Sequence, residues 1–90
     1  MNAYLISTRT FFMNANGIDT AMAVDIDNDF KLFTTKQKAV SFLNGVVVEH
    51  KEHYNCEVEE FSYGKNHFGY ICKRENRTRT VFEFIKKEMI

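Results

Sequence analysis

His50, His53 and Cys56 are spaced three apart in VVVEHKEHYNC, residues 46 to 56. Two imidazoles and a thiol are donor types that zinc takes, at about 2.0 to 2.3 Å in a tetrahedron. Residues three apart share one face of a helix, so both histidines would reach one ion. Cys56 would follow from a strand after the helix, and Cys72 or His67 would complete four ligands. Against this, H-x2-H-x2-C matches no common finger, and the sequence has no paired C-x2-C knuckles. A simpler reading makes His50 part of an apolar helical stripe. It puts His53 in the last turn, where positive charge complements the helix dipole. It makes Cys56 and Cys72 small buried hydrophobes. On this reading no metal and no cofactor is expected.

Other catalytic chemistry has less support. A Cys–His nucleophile needs a thiol activated by a base in a cleft, and no flanking motif marks either cysteine. DIDND, residues 25 to 29, opens like a calcium loop, but Phe30 and Lys36 stand where that loop needs Gly and Glu. Glu57 and Glu59 share a strand face and read as a solvated edge. The sequence has no glycine-rich phosphate loop, no G-x-S-x-G and no HExxH. The chain is therefore expected not to be an enzyme.

Phe68, Gly69, Tyr70 and Ile71, within HFGYICK, resemble four consecutive positions of the RNP1 motif of RNA-recognition domains. In that family, aromatics on a central strand stack on bases. Asn66 and His67 stand where the family has a basic residue and glycine, and Lys73 stands where it has an aromatic. The family's βαββαβ order also needs a second helix, and none is predicted after residue 74. The resemblance covers residues 66 to 73 alone, and the family is not assigned. The physical ingredients are independent of it. Phe68 and Tyr70 share a strand face, Phe82 and Phe84 share another, and Lys65, Lys73, Arg74, Arg77 and Arg79 lie near the ends. Stacking with a basic rim binds single strands. The competing reading is that these rings are core, as aromatic stripes in small domains more often are.

The elements that must position these residues follow from periodicity. AYLISTRTFF, residues 3 to 12, alternates as a strand. NANG, 14 to 17, is a turn signal, and Met22, Val24 and Ile26 alternate in a second strand. DND, 27 to 29, reads as a second turn, and FKLF, 30 to 33, as a short third strand or an extended lead-in. Val40, Leu43, Val47 and His50 then form a helical stripe flanked by Ala39, Phe42 and Val46. The spacing predicts a helix over about 35 to 52, with Thr34 and Gln37 as a capping box and Phe33 as a staple. Gly45 weakens that helix or lets it approach a sheet closely. CEVEEFSY is a strand in which Val58 and Phe61 have opposite parity, as a bulge would reconcile. GKN and RENR are turns around HFGYICK, and TRTVFEFIKKEMI puts Phe82 and Phe84 on one face, Val81 and Ile85 on the other.

Ninety residues make one domain, residues 1 to 90. Nine Phe and no Trp leave the phenylalanines to supply much of the core. Formal net charge is zero, which removes a whole-chain drive toward nucleic acid or anionic membrane. Residues 61 to 90 nevertheless carry seven bases against three acids. Residues 1 to 13 do not read as a signal peptide, and no apolar run approaches a membrane span. A cytoplasmic protein with reduced thiols is expected.

The expected fold is α+β, a four- to five-stranded antiparallel sheet in the order β-β-(β)-α-β-β-β with one helix packed on one face. The expected function is a small non-catalytic protein-interaction module, of the adaptor or inhibitor type that phages and mobile elements encode. It would bind a partner protein, a homodimer being one form, through an exposed sheet face or edge. The alternative is single-stranded nucleic-acid binding through Phe68, Tyr70, Lys73, Arg74, Arg77, Arg79, Phe82 and Phe84.

Overall fold

A computed structural model of the chain describes residues 2–12, 24–74 and 78–88, with backbone alone for 24–28. The elements run β1 (Asn2–Phe12), β2 (Val24–Phe33), α1 (Lys36–Tyr54), β3 (Glu57–Ser62), β4 (His67–Lys73) and β5 (Thr78–Glu88). The strands form one antiparallel sheet in the order β2-β1-β5-β4-β3. The α+β architecture with a single helix is as the periodicity predicts. β1 lies inside the sheet, and β2 and β3 are its edges.

Side-chain alternation explains why one helix suffices. In β5 every second residue from Thr78 to Phe84 is buried, because successive side chains leave opposite faces. The register lines up Ile6, Phe84 and Phe68 in one cross-strand row and Thr8, Phe82 and Tyr70 in the next. α1 lays Ala39, Leu43 and Val47 over these rows. Toward the polar end of the same face, the Thr10 and Thr80 hydroxyls share a hydrogen bond of 3.1 Å, so burying Thr80 leaves no unpaired donor there.

The helix ends are set by local chemistry. Thr35 is extended at φ −129° and ψ 148°, and its Oγ1 accepts from the Lys38 N–H at 3.3 Å. The cap is therefore Thr35, one residue later than the Thr34 of the expected capping box. Phe33 closes β2 and places its ring 5.3 Å from Phe42. At the other end Asn55 takes the left-handed conformation, φ 50°, and its N–H reaches the Lys51 carbonyl at 2.8 Å. Asparagine adopts that conformation at less cost than other side-chain-bearing residues.

Three expectations are corrected. DND is strand, not turn: Asp29, Asn28 and Asp27 pair with Thr8, Arg9 and Thr10, and FKLF continues the same β2. An edge strand has one solvated side, so acids are tolerated there. β3 carries no bulge, since its register with β4 is unbroken; Val58 faces the helix and Phe61 the opposite side. Gly45 is exposed, and an added Cβ would meet nothing within 4 Å, so it serves no close approach. Gly45→Ala is therefore expected to stabilise the fold by about 0.8 kcal/mol, read as a melting temperature several degrees higher. An unchanged or lower value would mean that helical propensity does not limit α1. The predicted NANG turn, Met22 and most of RENR lie outside the described residues. Among the described residues, no helix is long and apolar enough to cross a membrane.

Candidate functional site

The sheet register separates the aromatic and basic residues that the sequence groups together. Phe82 and Phe84 are 4% and 0% exposed, and Phe68 and Tyr70 pack against the same core beneath α1. Phe68 stacks on Phe84 at 4.7 Å, and His50 meets Phe82 edge-on at 5.2 Å. These ring contacts belong to packing: Phe82 and Phe84 are core, and Phe68 and Tyr70 are partly buried against it. Lys73 and Arg79 are paired across β4 and β5 on the opposite face. There Lys73 Nζ lies 2.5 Å from Glu59, and the hydrogen bond and charge of Lys73 hold the Glu59 carboxyl below its usual range. Arg74 turns instead toward the helix end. Its guanidinium sits 3.4 Å from the centre of the Tyr54 ring, and its Nη2 donates to His50 Nε2 at 3.3 Å. Arg77 lies outside the described residues. Lys73 and Arg79 thus lie on one face and Arg74 at the helix end, and Lys73 is paired with an acid.

The face away from α1 is covered by no described helix or strand. Phe11, Phe61, Ile71 and Val81 line a shallow groove of about 450 Å³ on it, with Arg9 and Arg79 at its side. Phe61 lies over Gly69, where an added Cβ would come within 2.9 Å of its Cζ. His67 and Glu83 form a hydrogen-bonded pair across β4 and β5 on the same face.

Both edges of the sheet carry three acids, Asp25, Asp27 and Asp29 on β2 and Glu57, Glu59 and Glu60 on β3, and they differ in the residues beside them. β3 presents Glu57, Glu59 and Glu60, all exposed. β2 presents Phe30 and Leu32, 66% and 57% exposed. The register with Ser7 and Leu5 places both on the open face. Sequence reasoning did not single them out. The available signal was FKLF, with Phe30 and Leu32 alternating about Lys31 directly after the alternating acids of DIDND.

A second grouping lies at the C-terminal end of α1. His50, Cys56 and Cys72 bring one ligating atom each to within 4.8 Å of one another. Both cysteines are free and buried. Burial pushes the Cys72 thiol up to about 12, reinforced by Cys56 beside it, while Arg74 pulls the other way. The His50 pKa is lowered, first by burial, then by Arg74 and His53. The trio is not the one the sequence spacing suggested. His53 is exposed, edge-on to Tyr54 at 4.5 Å, and His67 is engaged with Glu83 on the other face. No family model, curated protein or solved structure matches this chain.

Proposed function

We propose that the protein works by binding another protein, without catalysis, along the β2 edge and the adjoining open face, and that a second copy of the chain is such a partner. The contrast between the edges carries this reading. Charged residues on an edge discourage strand addition, whereas exposed apolar residues invite it. β3 is blunted by glutamates along its length, whereas β2 carries its acids at Asp25, Asp27 and Asp29 and beyond them holds Phe30 and Leu32 out to solvent. An adaptor or inhibitor built this way engages its target by extending a sheet.

A two-fold antiparallel pairing of β2 centred on Phe30 is self-complementary. It sets Phe30 against its own counterpart and places each Lys31 opposite an Asp29. Opposite charges directly across a ladder attract, and like charges there repel. In the single chain the Asp29 carboxylate accepts from the Phe30 N–H at 2.8 Å, occupying that donor locally. Pairing replaces this bond with a ladder bond and frees Asp29 for lysine.

Light scattering across a concentration series tests the reading. The expected result is a concentration-dependent dimer that is lost when Phe30→Lys and Leu32→Lys are combined. The circular dichroism should not change, since both side chains are exposed. A chain that stays monomeric throughout overturns the second-copy partner. A dimer that survives the double substitution overturns the β2 edge.

A further inference from the structure

We propose that His50, Cys56 and Cys72 form a binding site for a thiophilic d10 cation, with Zn2+ the expected occupant. Three elements deliver the donors. The last turns of α1 supply His50. The left-handed cap at Asn55 then reverses the chain, so Cys56 arrives directly beneath the helix end. Cys72 comes from β4, where the Val58–Cys72 pairing sets the two thiols near each other.

The donor atoms all lie within 4.8 Å of one another. A tetrahedral zinc with bonds of about 2.0 to 2.3 Å holds its ligands about 3.5 to 3.8 Å apart, so a contraction of about an ångström seats the ion. Two thiolates and one imidazole form a soft donor set that favours zinc or copper(I) over calcium or magnesium. Charge favours Zn2+: two thiolates cancel it, so the buried centre carries no net charge. The protons leave the thiols as the metal binds. Three protein donors leave a fourth position for water, and His50 itself borders a groove of about 440 Å³ between α1 and the sheet.

Arg74 is the competing group. A coordinated imidazole has no free lone pair at Nε2, because that atom holds either the metal or a proton. The Arg74 donor at 3.3 Å must therefore withdraw, and the Tyr54 ring beneath it already gives it a resting place. The site lies at the helix end beside β3 and β4, away from the β2 edge, so its failure leaves the docking reading untouched.

The test is an anaerobic titration of the reduced, metal-free protein with Co2+, followed by Zn2+. A sulfur-to-cobalt charge-transfer band saturating at one equivalent, bleached by Zn2+, is expected, together with a rise in melting temperature. Cys56→Ser and His50→Gln should each weaken binding by more than about 100-fold, beyond the 10- to 100-fold typical of groups that only orient a ligand. Arg74→Met should bind more tightly, and His53→Gln should bind as the unmodified chain does. Cys72 sits in the core, so the spectrum of the unmodified protein carries the test where Cys72→Ser does not fold. No charge-transfer band, an undiminished band in Cys56→Ser, or loss of binding in His53→Gln would overturn the site.

Discussion

Phe84→Ala is expected to lower the melting temperature by about 20 °C, the largest effect of any single truncation in the sheet. The side chain is 0% exposed. Its ring lies between Phe68 at 4.7 Å and Tyr4 at 6.0 Å, near-parallel to both. It is also directly across β1 from Ile6. Removing a buried phenylalanine costs about 3 to 5 kcal/mol, because transfer energy is lost and a cavity remains. At about 0.05 to 0.15 kcal/mol per residue, a domain this short holds only about 5 to 13 kcal/mol in all. Phe11→Ala, on the open face, is the comparison and should cost about 1 kcal/mol or less. If Phe84→Ala leaves the melting temperature in place and instead alters binding to a single-stranded oligonucleotide, the ring is a platform and the core assignment falls.

Gly69→Ala is expected to cost about 3 kcal/mol or more, despite adding one methyl group. An added Cβ would stand 2.0 Å from the Phe82 carbonyl oxygen, 2.9 Å from Phe61 Cζ and 3.0 Å from Glu83 Cα. The nearest atom is backbone in the adjacent strand, so β4 and β5 must part at the middle of their ladder. Combining Gly69→Ala with Phe61→Ala separates the two sources of crowding. The ring is removed, the carbonyl stays, and stability should remain low. Full recovery in the double variant would mean that the ring alone requires glycine.

Much of the fold was legible because alternation and helical spacing are local signals. Phe68, Tyr70 and Cys72 on one face, and Phe82 with Phe84 against Val81 with Ile85, were readable directly from position. β2 was misread at DND because acids are poor strand formers; at an edge, solvation outweighs that propensity. The capping threonine was off by one, since Thr34 and Thr35 offer the same hydroxyl and only the backbone conformation decides between them. Face assignment grouped Phe68 with Tyr70 and Phe82 with Phe84 but did not say which side the helix takes, so core and platform could not be told apart. The meeting of Cys72 with Cys56 and His50 depends on the β3–β4 register, a long-range property that spacing along VVVEHKEHYNC does not carry.

β5 has a consequence for the order in which the molecule is made. It sits between β1 and β4, and among the described residues no other ladder joins the β1–β2 pair to the β3–β4 pair. Its pairing with β1 runs from Asn2–Glu88 to Phe12–Thr78, so nearly the whole chain is the loop that must close. A nascent chain that has not yet released β5 therefore holds two separate hairpins and a helix with little to cover. Long-range closure of this kind slows folding toward milliseconds or longer. During that interval both hairpins present unpaired edges that neighbouring chains on the same message can reach.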